Sequence, residues 1–254
     1  SRSVVRKRGF GFTVPSLPQV IVLDTRTQRE LRRGPPGLLT AAAAGSLSRQ
    51  CQSLYDPDRH GEPLLVVSPT NVIGDTLIEL EQSLSYRVGD RASDDPEAWS
   101  LHEAAFNRLF AALSDAGRQW VVFFSGDVHF GYVAAGELLR QGRTIFRFAQ
   151  FTSSALLNVP VGGSRDMAEA YRFGQRTLAA TRIGRLVNQE RHYRLDGDAV
   201  LRFRFLPVAG NNLSTFLHPN FGQVIIEWTR ERVTKLEQRL FNTTTSGPTV
   251  QVIR

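Results

Sequence analysis

The side chains best suited to chemistry in this 254-residue chain are Asp127 and His129, in the segment Ser125-Gly126-Asp127-Val128-His129. A carboxylate and an imidazole two residues apart, on a loop leaving a strand, are ligand types that a metal-dependent hydrolase gathers around its cation. In extended backbone, residues i and i+2 project the same way, so one loop would offer both to one site. A cation held there would polarise a phosphoryl oxygen and activate water as the nucleophile. The spacing alone leaves a second reading open: an aspartate capping the next segment and a histidine filling a polar corner. The other ligands would have to come from other strand ends. Asp24 closes the apolar run Val20-Ile21-Val22-Leu23, and Asn71 lies just beyond Leu64-Leu65-Val66-Val67.

These residues need a scaffold, and the hydrophobic pattern supplies one. Trp120-Val121-Val122-Phe123-Phe124-Ser125 reads as a buried strand, as do the runs at 20–23 and 64–67. An alanine-rich helix is expected over Thr40–Leu54. A second is expected from Asp95-Pro96, with Trp99, Phe106, Leu109, Phe110 and Leu113 at helical spacing and Gly117 ending it. Strand, helix, strand in that order indicates an α/β architecture, whose functional groups collect at the carboxyl ends of the strands. Downstream, Tyr132–Leu139 and Thr144–Phe151 flank Arg140-Gln141-Gly142-Arg143 as a hairpin. A helix is expected over Arg165–Val187. Strands are expected at His192–Leu195, Val200–Leu206 and Gln223–Thr229. Val233, Leu236 and Leu240 fit either a helix or the last strand of a meander. Residues 1–18 read as an irregular basic lead-in, and Gly74–Asp95 as a long loop.

Composition narrows the class. A hydrophobic content of 41% with 22% charged residues specifies a packed globular core, and no stretch approaches the length of a membrane span. No signal peptide is visible from Ser1, which leaves the compartment open. The lone Cys51 excludes an internal disulfide and reads as a small buried hydrophobe. The formal charge is +7, carried almost wholly by arginine, with Lys7 and Lys235 the two lysines. Eight arginines fall between Arg172 and Arg204. Such a surface attracts polyanions, yet an arginine bias also follows from base composition. No recognised nucleic-acid motif accompanies the charge, so nucleic acid is neither assigned nor excluded. Ser153-Ser154 lacks the glycines of a nucleophile elbow. His60, His192 and His218 lack acidic partners in sequence. His102, within the expected helix, reads as a surface or interface residue.

Six blocks, in order, resemble the PhoD-like phosphatases of the calcineurin-like metallophosphoesterase superfamily. They are Val20–Glu30 with its Leu23-Asp24-Thr25-Arg26-Thr27, Leu64–Gly74, Asp95–Trp99, Ser125-Gly126-Asp127-Val128-His129-Phe130, Phe151–Asn158 and Asn220–Val224. The fold this implies is α/β, a metallophosphoesterase-like sandwich of two β-sheets flanked by helices. The activity implied is hydrolysis of phosphate mono- or diesters by a metal-activated water. Asp127 and His129 would be catalytic metal ligands, and Arg26 and Asn71 substrate-binding residues. Two or more divalent or trivalent ions, iron and calcium, would be the cofactors, and a phosphate ester the substrate. Arg26 could hold phosphate as a bidentate donor or serve structurally, beside Asp24 or a carbonyl.

Two departures qualify the resemblance. The family's first metal-binding elements lie upstream of the Leu-Asp-Thr-Arg block, where this chain has about 20 residues and no such motif, and Asn71 stands where a proline is more usual. Residues 1–242 are therefore expected to be the C-terminal portion of one such domain, lacking its N-terminal strands, with 243–254 a polar, loose tail. The missing half or another chain would be a partner, covering an otherwise exposed sheet edge. The alternative is a non-catalytic remnant of the same family, acting as a basic binding module for polyanions or a partner protein.

Overall fold

The computed structural model describes residues 10–27, 37–75, 79, 98–126, 130–153, 190–207, 215–216, 220–241 and 247–253. In chain order the elements are β1 (Phe12–Val14), β2 (Val20–Val22), α1 (Ala41–Ser53), β3 (Leu64–Val67), α2 (Glu103–Ser114), β4 (Trp120–Ser125), β5 (Gly131–Arg140), β6 (Arg143–Thr152), β7 (Arg191–Leu195), β8 (Ala199–Phe205), β9 (Thr215–Phe216), β10 (Phe221–Trp228), β11 (Val233–Phe241) and β12 (Thr249–Ile253). The fold is mixed α/β.

Among the described residues the larger sheet has nine strands, ordered β1-β2-β3-β4-β6-β5-β8-β7 with β9 on β5. β2, β3, β4 and β6 run parallel, and the strands outside them antiparallel. β10, β11 and β12 form a separate antiparallel sheet. The parallel strands are covered on both sides, which is why they read as unbroken apolar runs. Along β4, Val121 and Phe123 face the helices and join Leu109, Phe110 and Leu113 of α2 and Leu47 and Cys51 of α1. Val122 faces the other way and packs with Val133, Ala149, Phe151 and Leu236, with Val224, Ile226 and Ile253 against them. The described helices thus sit on one face of the large sheet and the small sheet on the other. Aromatic side chains fill the helix side. Phe110 lies 4.9 Å from Phe106 edge-to-face, 6.2 Å from Phe146 stacked and 6.1 Å from Phe148.

Local chemistry explains most boundaries. Thr40 caps α1, its hydroxyl accepting from the Ala43 N–H at 3.1 Å. The β5–β6 hairpin turns through Gln141 and Gly142, both with positive φ, the geometry that matches strand twist. β4 occupies Trp120–Ser125 as expected.

Several expectations need correction. The helix foreseen from Pro96 begins at Glu103: Trp99–Leu101 is a 3-10 turn, and His102 (φ −118°, ψ 58°) breaks the helical path. The turn is shaped by packing, since Trp99 is fully buried and its indole N–H donates to Thr70 Oγ1 at 3.0 Å. His102 is buried rather than superficial. Phe12–Val14, expected to be irregular, pairs with β2 and occupies the sheet edge; three residues are too few for an alternation to register. Residues 233–241 are a strand: Leu236, Gln238 and Leu240 are buried on one face with period two, and 236 and 240 fit both periods. The end segment is not loose over Thr249–Ile253, which forms β12. The expected helix at Arg165–Val187 and nearly all of the 74–95 loop lie outside the described residues. No helix among the described residues is long and apolar enough to cross a membrane.

Candidate functional site

The parallel strands end at one edge of the sheet, and that edge carries Asp24 and Asn71. The ladder continues one step past the strand ends, with Leu23 N–H donating to Val67 O, Ser68 to Phe124 O and Ser153 to Ser125 O. Asp24, Ser68–Asn71, Gly126 and Ser153 therefore emerge side by side from adjacent strands. Asp127 and His129 lie outside the described residues, between Gly126 and the buried Phe130.

Asp24 organises its own loop. Its carboxylate accepts from the N–H of Phe10 and Thr27, each at 2.7 Å, from the N–H of Arg26 at 3.2 Å, and from the Thr27 hydroxyl. Burial alone would raise its pKa, but these hydrogen bonds, led by the Thr27 hydroxyl, outweigh burial and hold it below the usual carboxylate value. Four donors use the roughly four lone-pair sites of a carboxylate. Asp24 is thus committed to shaping the turn that carries Arg26, whose side chain is exposed at this edge.

Asn71 is buried and accepts from Thr152 Oγ1 at 3.4 Å, which ties the end of β3 to the end of β6. The loop following Asn71 is clamped by Gln150, a fully buried residue that the sequence reading passed over. Gln150 Oε1 accepts from the Ile73 N–H at 2.8 Å, and Nε2 donates to Ile73 O at 2.7 Å. Nε2 also reaches Tyr132 Oη at 3.0 Å and Thr152 Oγ1 at 3.3 Å. Tyr132 Oη donates to the same Ile73 carbonyl at 2.6 Å. The one clue in the sequence was a glutamine inside the apolar run Phe146–Phe151, where a polar side chain must find partners.

Beyond the clamp, Glu79 Oε1 accepts from the Gly74 N–H at 3.1 Å. Its enclosed carboxyl is pushed up to about 7, first by burial and further by Asp75, against a hydrogen bond from Ser100 and the charge of Arg191. On the opposite side, Ser153 Oγ donates to Asn220 Oδ1 at 2.7 Å, and Gln238 Nε2 donates to Thr152 O at 3.2 Å. Gly126 sits close beneath this corner: a Cβ there would come within 3.2 Å of the Ser153 carbonyl. Ser125 Oγ and Gln238 Oε1 are buried without a hydrogen-bond partner among the described residues.

The described edge is therefore rich in hydroxyl and amide oxygens and poor in available carboxylate. Among the described residues no three His, Cys, Asp or Glu side chains converge as a metal site, and Asp24 has no spare ligating capacity. Arg26 and Asn71 lie on neighbouring loops of this edge. Cys51 is buried in the core, its thiol pushed up to about 12 by burial and by Asp115, in keeping with a packing role.

No family model matches the chain, and no curated protein matches it. A solved structure of PhoD aligns with it at 14% identity and a TM-score of 0.42, over 92% of this chain and 38% of that one. The chain thus spans well under half the length of that protein.

Proposed function

We propose that this chain is part of a PhoD-like metallophosphoesterase domain that hydrolyses phosphate mono- or diesters. One observation carries the reading. Four of the six sequence blocks that resemble the family terminate β2, β3, β4 and β6, the four parallel strands, at one sheet edge. Functional groups of open α/β sheets collect at that edge, and chance matches would have no reason to select it.

In this reading Asp127 and His129 hold the metal ions, iron and calcium by resemblance, with further ligands from residues beyond those described. The bound metal would polarise the phosphoryl oxygen and lower the pKa of a water. The exposed Arg26, on the turn fixed by Asp24, is positioned to receive a phosphate oxygen. Asn71, held by Thr152, offers an amide to the same ester. The Gln150 clamp holds the loop following Asn71 rigid, which fixes the substrate relative to the strand ends.

The test combines metal analysis of the purified chain with hydrolysis of bis(p-nitrophenyl) phosphate before and after chelation. The expected result is bound metal, chelator-sensitive turnover, and loss of both in Asp127→Asn and His129→Ala with unchanged circular dichroism. Either variant retaining metal and activity would refute the assignment. A folded, metal-free, inactive chain would favour the polyanion- or partner-binding module.

A further inference from the structure

At the other end of the same strands lies a second feature. Trp120 opens β4 while Ser125 closes it, so this region is about 17 Å from the edge described above, at about 3.3 Å per residue. Directly paired residues form one row across the large sheet: Trp120 on β4, Arg147 on β6, Glu137 on β5, Arg202 on β8 and His192 on β7. Paired neighbours share a face. Trp120 belongs to the face covered by the small sheet, where it packs against the Val122 and Ala149 cluster. The small sheet covers that face only in part. Between the row and the edge strand β12 a groove of about 600 Å³ remains, with Val252 and Ile253 as its apolar wall.

The charges in the groove are unequally satisfied. Glu137 is held by Arg202 and by the Thr144 hydroxyl, the latter at 2.7 Å. Glu190 is 3.1 Å from His192 Nε2 and 3.8 Å from Arg202 Nε. Both carboxylates are thus already engaged. Arg147 and Arg204, by contrast, are exposed and make no salt bridge among the described residues; Arg147 faces Glu137 across the strands, and that carboxyl is held below its usual value first by Arg202 and in smaller part by the charge of Arg147. Arg204 pairs in register with Ala135, and Ala135 with Ala149, so the floor between the two arginines is made of small residues. Two strand spacings and one two-residue step separate the arginine Cα atoms by about 12 Å. Side chains of that length can converge on one group above Ala135.

We propose that this groove binds a small phosphomonoester bearing a planar ring, of the nucleoside monophosphate class. The phosphate dianion lies between the guanidiniums of Arg147 and Arg204, which suit it as planar donors. The ring lies against the indole of Trp120 and the side chains of Val252 and Ile253. The volume falls in the range of small-molecule sites, about 300–1,000 Å³. A nucleic-acid strand fits less well, because its further phosphates would have to pass the carboxylate of Glu190, while the Glu137 carboxylate beside the phosphate position is already bonded by Arg202.

The test is calorimetric titration of the full chain, in EDTA, with adenosine 5′-monophosphate, inorganic phosphate and adenosine. Saturable one-to-one binding of the monophosphate is expected, tighter than inorganic phosphate and much tighter than adenosine. Arg147→Gln and Arg204→Gln, both at exposed positions, should each weaken it about tenfold or more, as loss of a charge-assisted contact does. Asp127→Asn should leave it unchanged, which separates this groove from the proposed metal site and makes the two readings fail independently. The proposal is overturned if the wild-type chain does not bind at millimolar ligand, or if both arginine variants bind normally. It is equally overturned if inorganic phosphate binds as tightly, if Asp127→Asn abolishes binding, or if a single-stranded oligonucleotide binds more tightly with a steep salt dependence.

Discussion

Replacing Gln150 by leucine removes the carboxamide that clamps the loop after Asn71 while nearly preserving its volume. Four hydrogen bonds disappear, but their partners are not equally harmed. The Ile73 carbonyl keeps Tyr132 Oη at 2.6 Å, and Thr152 Oγ1 keeps Asn71 at 3.4 Å. The Ile73 N–H loses the partner it has and stays buried. An orphaned buried donor costs about 1–3 kcal/mol, and each net hydrogen bond about 1 kcal/mol. Burying leucine in place of the amide offsets part of this. The expected loss is about 2–4 kcal/mol, read as a shift of the urea midpoint at constant slope. Amide exchange of Ile73 and Gly74 should accelerate by more than the global destabilisation requires, because the clamp acts locally. Gln150→Glu is the control. It can still accept from Ile73 N–H but places a carboxylate oxygen against the Ile73 carbonyl, so its cost should grow as pH rises. A leucine variant within about 0.5 kcal/mol of wild type, below the cost of one orphaned donor, or with unchanged local exchange, would refute the reasoning.

Other consequences are open to measurement. Glu79 carries a pKa raised to about 7 from 4.5, so the unfolded chain gives up this proton first. Its contribution to stability is then fullest below pH 4.5 and is lost as pH rises toward 7, by at most about 3 kcal/mol; Glu79→Gln should flatten that part of the pH–stability curve. Phe110→Ala, at the centre of the aromatic cluster, should cost about 3–5 kcal/mol in denaturant unfolding. Arg118 is buried and donates to the carbonyls of Leu54, Arg59 and Asp56 and to Gln19 Oε1. Arg118→Met should cost about 3–5 kcal/mol by orphaning those acceptors, visible as a lower melting temperature.

The strands were easy to read where burial on both faces leaves a dense apolar run, as at 64–67 and 120–125. The β5–β6 hairpin was legible because its turn residues and flanking pattern agree. Reading failed where tertiary packing overrides the local pattern. Trp99 fits helical spacing, yet docking its indole on Thr70 draws the chain into a 3-10 turn that ends at His102. Leu236 and Leu240 stand four apart, a spacing common to a helix and a strand. In the candidate site, the sequence indicated which strand ends matter and could not show how their polar groups are spent. Asp24 looked like a ligand because it ends a strand, but three donors inside its own turn and the Phe10 N–H claim it. Gln150, 126 residues from Asp24 in sequence, has no motif to mark it.

The direction of the parallel strands then sorts the chemistry of the molecule. At their carboxyl ends the backbone runs into turns whose side chains are hydroxyls, amides and carboxylates, and these groups bind one another: Asp24 with Thr27, Asn71 with Thr152, Ser153 with Asn220. Those bonds brace the edge beside the Ser125-Gly126 end of β4. At the amino ends the exposed row is arginine-rich: Glu137 is bonded by Arg202 and faced by Arg147, and Arg204 makes no salt bridge among the described residues. An anionic ligand would meet donors at that end without disturbing any existing pair. At the carboxyl end, by contrast, the Asp24 carboxylate of the described residues is already committed, and the oxygens left without a partner there, Ser125 Oγ and Gln238 Oε1, are neutral. The two ends should therefore respond oppositely to charge reversal. Arg204→Glu should abolish anion binding without affecting metal uptake, and Asp127→Lys should do the reverse. Loss of both functions from either substitution would mean the two ends are not independent, and would undo the assignment of separate sites.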